Sequence, residues 1–130
     1  MLLEAQKSED PRLYSPLVLA YLGDAVLELL VRDRLVRLAN RPVGQLHRMT
    51  VERVCAAAQS AAVERLLPVL DEEETAVYKR GRNANGSHVP KNADPQEYRR
   101  ATGLEALFGY LFLKGEAGRI EELFAMIWQD

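Results

Sequence analysis

The 130-residue chain has the size of one domain, and 48% hydrophobic against 28% charged residues is the balance of a folded globule, which excludes an intrinsically disordered chain. A lone cysteine, Cys55, excludes an internal disulfide and a cysteine-based zinc cluster and points to a reducing, cytoplasmic setting, while His47 and His88 as the only histidines argue against a histidine-rich metal site. The net charge of −2 hides a segregation: residues 79–100 carry six Lys or Arg against Asp94 and Glu97, a local balance of +4 that leaves −6 for the rest. A compact basic segment on an acidic body is the footprint of localised phosphate binding; a solvated loop with chance charges is the alternative.

The elements follow in chain order. No signal peptide is expected, because Met1-Leu2-Leu3-Glu4 turns polar at once. Ser15-Pro16 is an N-cap followed by proline at the first helical position, so a helix runs from there to roughly Leu38. Its nearly apolar run, Leu17 to Val31, is shorter than the roughly 20 residues of a membrane span, so no membrane contact is expected. Asn40, Pro42 and Gly44 break the helix. A short helical piece around Val43 to Met49 then precedes Thr50, read as the cap of a second long helix ended by Pro68. Asp71 and Glu74 have capping-box spacing for a short helix that gives out near Gly81. Residues 83–92 are rich in turn formers and form a loop; Asp94-Pro95-Gln96-Glu97 then starts a helix at Pro95. Leu104, Leu107, Phe108, Leu111 and Phe112 fall on one helical stripe, Gly115 and Gly118 stop it, and a last amphipathic helix carries Ile120, Leu123, Phe124 and Ile127. No period-two stretch competes, so the fold is all-α, one domain over residues 1–130 with its core at about 13–127.

Two acidic residues stand in unlikely places. Twelve of the fifteen residues from Leu17 to Val31 are apolar, which predicts a helix buried all round, yet Asp24 and Glu28 lie on it one turn apart. An ionised carboxylate in such surroundings needs a cation, several donors or a proton. Gly23 beside it weakens the helix by about 1 kcal/mol relative to Ala and suits a point where another backbone or a ligand comes close. Glu105 borders the second apolar stripe with Gly109 one turn on. Packed helices would bring Asp24 and Glu105 to a shared cation, and oxygen-only ligation suits Mg²⁺ with phosphate oxygens, the chemistry of a nuclease. The alternative is structural: Asp24 as a core acid paired with Arg32 or Arg53, and Glu105 as a boundary residue.

The run Tyr21-Leu22-Gly23-Asp24-Ala25-Val26-Leu27-Glu28 resembles the signature helix of the ribonuclease III domain, and Glu105-Ala106-Leu107-Phe108-Gly109-Tyr110-Leu111 is similar to its second acidic motif. Gln45-Leu46-His47-Arg48, Lys79-Arg80-Gly81-Arg82-Asn83-Ala84 and Pro90-Lys91-Asn92 resemble the Mini-ribonuclease III branch in particular. The resemblance spans about residues 13 to 127 and leaves no room for the separate double-stranded-RNA-binding domain of the full-length enzymes. It implies a homodimeric, Mg²⁺-dependent endoribonuclease of the bacterial cytoplasm that cuts double-stranded RNA, leaves 5′-phosphate and 3′-hydroxyl ends, and takes the precursor of large-subunit (23S) ribosomal RNA as its usual substrate. Asp24 and Glu105 match the family's catalytic, metal-binding acids. Two further acids of the full-length family are replaced here by Ala20 and Thr102, which leaves more of the metal shell to water, Thr102 and RNA phosphates. A ribosomal protein or ribosomal precursor particle stands as a further partner, and a non-catalytic module binding structured RNA or the ribosome on the same fold stands as the alternative function.

Duplex RNA is read through phosphates, 2′-hydroxyls and shape. The expected contacts are Arg80, Arg82 and Lys91 as charges, Asn83 and Asn92, with Asn85, as hydrogen-bonding groups, and Arg99 and Arg100 on the helix of Glu105. Gly81 and Gly86 are expected to let the backbone approach, His88 to belong to the loop, and His47 to be structural. Trp128 and the apolar flank of the first helix are the expected dimer surface.

Overall fold

The computed structural model describes residues 10–84 and 89–128, and every regular element among them is helical. Six α-helices follow one another: α1 (Pro16–Leu38), α2 (Val43–Val54), α3 (Ala56–Leu66), α4 (Glu72–Arg82), α5 (Pro95–Lys114) and α6 (Ala117–Ile127). Short 3₁₀ turns at Pro11–Leu13 and Leu67–Val69 precede α1 and follow α3. The all-α expectation therefore holds.

The helix ends are written in local chemistry. The Ser15 hydroxyl accepts from the Val18 amide at 3.2 Å, and Pro16 opens α1 where its missing N–H is not needed. At α4 the capping box is complete: the Asp71 carboxylate accepts from the Glu74 amide at 2.8 Å, and the Glu74 carboxylate from the Asp71 amide at 2.9 Å. The Asp94 carboxylate accepts from the amides of Gln96 and Glu97 to start α5, and Gly115 closes it in the left-handed region at φ 83°. Gly118, by contrast, lies inside α6 and stops nothing.

Thr50 does not cap a helix. Its hydroxyl donates to the Leu46 carbonyl at 2.9 Å within α2, and the break falls at Cys55, whose extended backbone (φ −66°, ψ 159°) ends α2 and begins α3. A threonine buried on a helix can return its proton to the preceding turn, which removes its value as a cap signal.

The core is built around α5. Every residue from Ala101 to Leu111 is buried except Glu105, so α5 is the helix surrounded on all sides, by α1, α3 and α4. The sequence assigned that place to α1, and the structure corrects it. Leu19, Gly23, Leu27, Val31 and Leu35 of α1 face the core, but Val18, Tyr21, Leu29 and Val36 on its other side are exposed, Tyr21 to 83%. Two glycine contacts set the spacing. A Cβ on Gly23 would stand 1.6 Å from the Glu105 carbonyl oxygen, and one on Gly109 would stand 2.0 Å from that of Leu19, so α1 and α5 touch backbone to backbone. On the other side of α5, a Cβ on Gly103 would meet the Tyr78 ring at 2.7 Å, and one on Gly81 the Ala106 methyl at the same distance.

Val31, Leu35, Phe124 and Trp128 form a smaller apolar cluster. Trp128 is buried there against Phe124, with the guanidinium of Arg53 3.7 Å and that of Arg34 5.1 Å from its ring. It belongs to the chain's own interior rather than to an outer surface, contrary to its expected part in a dimer contact.

One buried ion pair ties α6 to the preceding elements. Arg119 donates from Nε and Nη2 to the two Glu74 carboxylate oxygens, both at 2.8 Å, and also to the Val69 carbonyl. This guanidinium holds the buried Glu74 carboxyl below the ordinary carboxylate range. Removing one partner strands a buried charge, so Arg119→Met should lower the unfolding free energy by about 3 kcal/mol. The depressed acid contributes above its unfolded value near 4.5 and ceases to do so as pH falls, so the deficit of the variant should shrink in acid. Urea titrations of both proteins at neutral and acidic pH measure this.

Candidate active site

The glycine contact between α1 and α5 decides where Asp24 and Glu105 meet. Asp24 follows Gly23 directly, and Glu105 supplies the carbonyl that Gly23 accommodates, so the two acids are brought to the same crossing from opposite ends of the sequence. Their carboxyl groups come within hydrogen-bonding reach of each other. Burial, then the charge of Asp24 and its contact, push the Glu105 carboxyl up to about 8, and the neighbouring Gln59 amide opposes that rise. Asp24 itself lies on the solvent side. This corrects the expectation of an acid enclosed by apolar surface: α1 faces the core on one side only, and Asp24 stands at the margin of that side.

The structural alternative named Arg32 or Arg53 as the partner of Asp24, and the structure gives each of these arginines another contact. Arg32 pairs with Glu28 at 3.1 Å, and Arg53 lies over the Trp128 ring. Two carboxyl groups pressed together repel when ionised, and a divalent cation is one partner that can relieve both.

Gln59 was not among the residues singled out from the sequence. It projects from α3, only 4% exposed, and its amide lies beside the Glu105 carboxyl while its Oε1 has no hydrogen-bond partner among the described residues. The available signal was its register: Gln59 shares the stripe of Ala62, Val63 and Leu66, so a polar side chain stood on an apolar face. The donor set is therefore oxygen only, two carboxylates and an uncommitted amide oxygen, and no group of three or more His, Cys, Asp or Glu suited to a metal occurs among the described residues. Such a set fits Mg²⁺, which keeps much of its water and takes one or two protein carboxylates. Thr102 is buried, and its hydroxyl donates to the Tyr98 carbonyl at 2.9 Å within its own helix. Ala20 is packed in the core.

The expected RNA contacts divide into two groups. Lys91, Asn92, Asn83, Arg99 and Arg80 are exposed, and Arg80, Arg82 and Arg100 also make contacts within the fold. Arg80 reaches the carbonyls of Arg12 and Tyr14 at 3.3 and 3.4 Å and holds the segment before α1. Arg82 donates to the Asn83 side chain at 3.1 Å and lies 5.7 Å from the Tyr78 ring. Arg100 forms a salt bridge with Glu64 and sits near the Tyr78 hydroxyl. Gly81 is buried against α5, so its missing side chain serves helix packing and not the approach of a ligand. Asn85, Gly86 and His88 lie outside the described residues. His47 is exposed at the edge of a cavity of about 220 Å³ between α1 and α2.

Residues 17–116 match the model of the ribonuclease III domain. The chain belongs to the ribonuclease III family. Within it, the similarity is to Mini-ribonuclease 3. The protein of that name from Symbiobacterium thermophilum is 49% identical over 114 residues, 88% of each chain. That from Brevibacillus brevis is 47% identical, covering 91% of this chain and 90% of the other. A crystal structure of a Fusobacterium nucleatum protein superposes with a TM-score of 0.83 at 32% identity, covering 92% of this chain and 98% of that one. As a ribonuclease III family member the chain is an endoribonuclease of double-stranded RNA that leaves 5′-phosphomonoester ends. The family is generally Mg²⁺-dependent. No helix among the described residues is long and apolar enough to cross a membrane.

The raised Glu105 carboxyl has a consequence for stability. The folded chain keeps this proton up to about pH 8, whereas the unfolded chain releases it near 4.5. Stability from this group is therefore greatest below about 4.5 and declines as pH rises toward about 8, beyond which it changes no further. Denaturant titrations in EDTA across this range should show the decline in the wild type and a flatter profile in Glu105→Gln.

Proposed function

We propose that Asp24 and Glu105 form the catalytic centre of this ribonuclease III family enzyme and hold Mg²⁺ between them. The observation that carries this reading is the meeting of two carboxyl groups, distant in sequence, at a helix crossing that only Gly23 and Gly109 make possible. When bound, the ion supplies Lewis-acid stabilisation of the phosphate and a more acidic water for hydrolysis. The chain's own part is to hold charge at fixed points. Asp24, at the solvent side, faces the incoming RNA; Glu105, backed by the rigid core helix, provides the anchored half of the pair. In the overall reaction water adds to phosphorus and the bond to the 3′-oxygen breaks, which leaves the phosphate on the 5′ side.

The basic segment supports duplex binding beside this centre. Exposed Lys91, Asn92, Asn83 and Arg99 are placed to meet phosphates and 2′-hydroxyls, and Arg80, Arg82 and Arg100 add positive potential from positions held by the fold. The exposed apolar stripe of α1, Val18, Tyr21, Leu29 and Val36, favours a homodimer in which a second copy covers this face and each protomer supplies one centre for one strand. The whole core region, about residues 13–127, acts as one catalytic domain on this reading. The similarity to Mini-ribonuclease 3 supports the 23S ribosomal RNA precursor as substrate in the bacterial cytoplasm, alone or within a ribosomal precursor particle where a ribosomal protein is a partner.

Two experiments test these points. Asp24→Asn should lower cleavage of long duplex RNA in Mg²⁺ by at least about a thousandfold with the fold unchanged, and EDTA should do the same to the wild type; near-normal cutting by the variant refutes the site. Leu29→Glu should shift the sedimentation coefficient from dimer to monomer while the circular dichroism spectrum is retained. A wild type that sediments as a monomer refutes the dimer.

A further inference from the structure

We propose that Gln59 is a positioning residue of this centre: its amide N–H side steadies the Glu105 carboxylate, and its Oε1 accepts a hydrogen bond from the water shell of the divalent ion. The inference rests on the reading of Asp24 and Glu105 as the metal-holding pair. Three observations carry it. Gln59 is 4% exposed on α3, an element that contributes neither acid, and its side chain turns toward Glu105 instead of toward the apolar stripe around it. Its Oε1 is a buried acceptor with no partner among the described residues, and it is the one such side-chain atom among them. A buried amide oxygen without a partner costs stability, so its retention beside two carboxylates points to a donor brought from outside.

The chemistry of the amide fits both tasks at once. A glutamine offers donors on one side of its terminal plane and an acceptor on the other. A carboxylate needs a donor and a hydrated cation needs an acceptor, so a single uncharged side chain satisfies both without adding to the charge already concentrated there. A glutamate at this position would supply the acceptor but remove the donor; a leucine or methionine would supply neither. Among the described residues no third acid joins the two carboxylates, so a neutral oxygen that orders the shell of the ion does work that additional acids would otherwise do.

The test separates this role from a merely structural one. Wild type, Asp24→Asn, Gln59→Met and Gln59→Glu are compared by Mn²⁺ binding without RNA, followed by electron paramagnetic resonance, and by the Mg²⁺ concentration that gives half-maximal cleavage. Methionine nearly conserves the volume, so melting in EDTA should change little. Gln59→Met should weaken Mn²⁺ binding and raise the half-saturating Mg²⁺ concentration by roughly tenfold or more, while the rate at saturating Mg²⁺ stays within a few-fold of wild type. Gln59→Glu, which keeps an oxygen in place, should recover most of the lost Mn²⁺ affinity. Wild-type Mn²⁺ affinity in Gln59→Met overturns the proposal and leaves the catalytic pair standing, provided Asp24→Asn has lost binding. Equal binding by wild type and Asp24→Asn removes the pair and this inference with it. Loss of fold in both Gln59 variants assigns the amide to structure and also overturns the proposal.

Discussion

The backbone contact between α1 and α5 is the constraint from which the rest follows. Without side chains at Gly23 and Gly109 the two helices approach until carbonyl oxygens occupy the space a methyl group would need. The cost is paid in helix propensity, about 1 kcal/mol per glycine relative to alanine. The gain is position. Two carboxyl groups that would repel at any crossing are fixed within reach of one another because their backbones, and not flexible side chains, determine the separation.

The central helix explains why the pair is asymmetric. Burial of α5 on all sides leaves Glu105 as its one partly open position between Ala101 and Leu111. Its charge is therefore disfavoured by its surroundings, whereas Asp24, on a helix with an open face, is not enclosed in the same way. Two acids at one crossing thus sit in unlike environments, one in the low-dielectric interior and one facing water. The second glycine pair, Gly81 and Gly103, repeats the device on the other side of α5 and brings α4 close, so the segment with Arg80 and Arg82 begins from a fixed base.

Arginine has two uses in this molecule. Arg119 is inward, clamping Glu74 and the Val69 carbonyl with nearly full hydrogen-bonding geometry. Arg80, Arg82 and Arg100 are fastened at one end to carbonyls, an aromatic ring or an acid while remaining in the basic segment. A fastened guanidinium has less freedom left to lose, so on the proposed reading these side chains would meet a phosphate at a smaller entropic cost.

Much of this was legible in the chain itself. Caps are local chemistry, and Ser15, the Asp71–Glu74 box and Asp94-Pro95 placed three helix starts because a side chain reaches only the next turn. Thr50 and Gly118 misled because the same residue types also occur inside helices, where neighbours and not sequence decide their partners. The acids and their adjacent glycines were visible as anomalies on apolar helices, and the motifs around them carried the family. What the sequence by itself determined was the set of helices and the chemistry they bear, since both depend on interactions within a few residues. Which helix lies at the centre, that Asp24 faces solvent, that Trp128 is interior, and that Gln59 stands beside Glu105 were decided only by tertiary packing, because burial is a property of the surfaces that meet and an evenly apolar helix such as α1 does not say which of its faces another helix will cover.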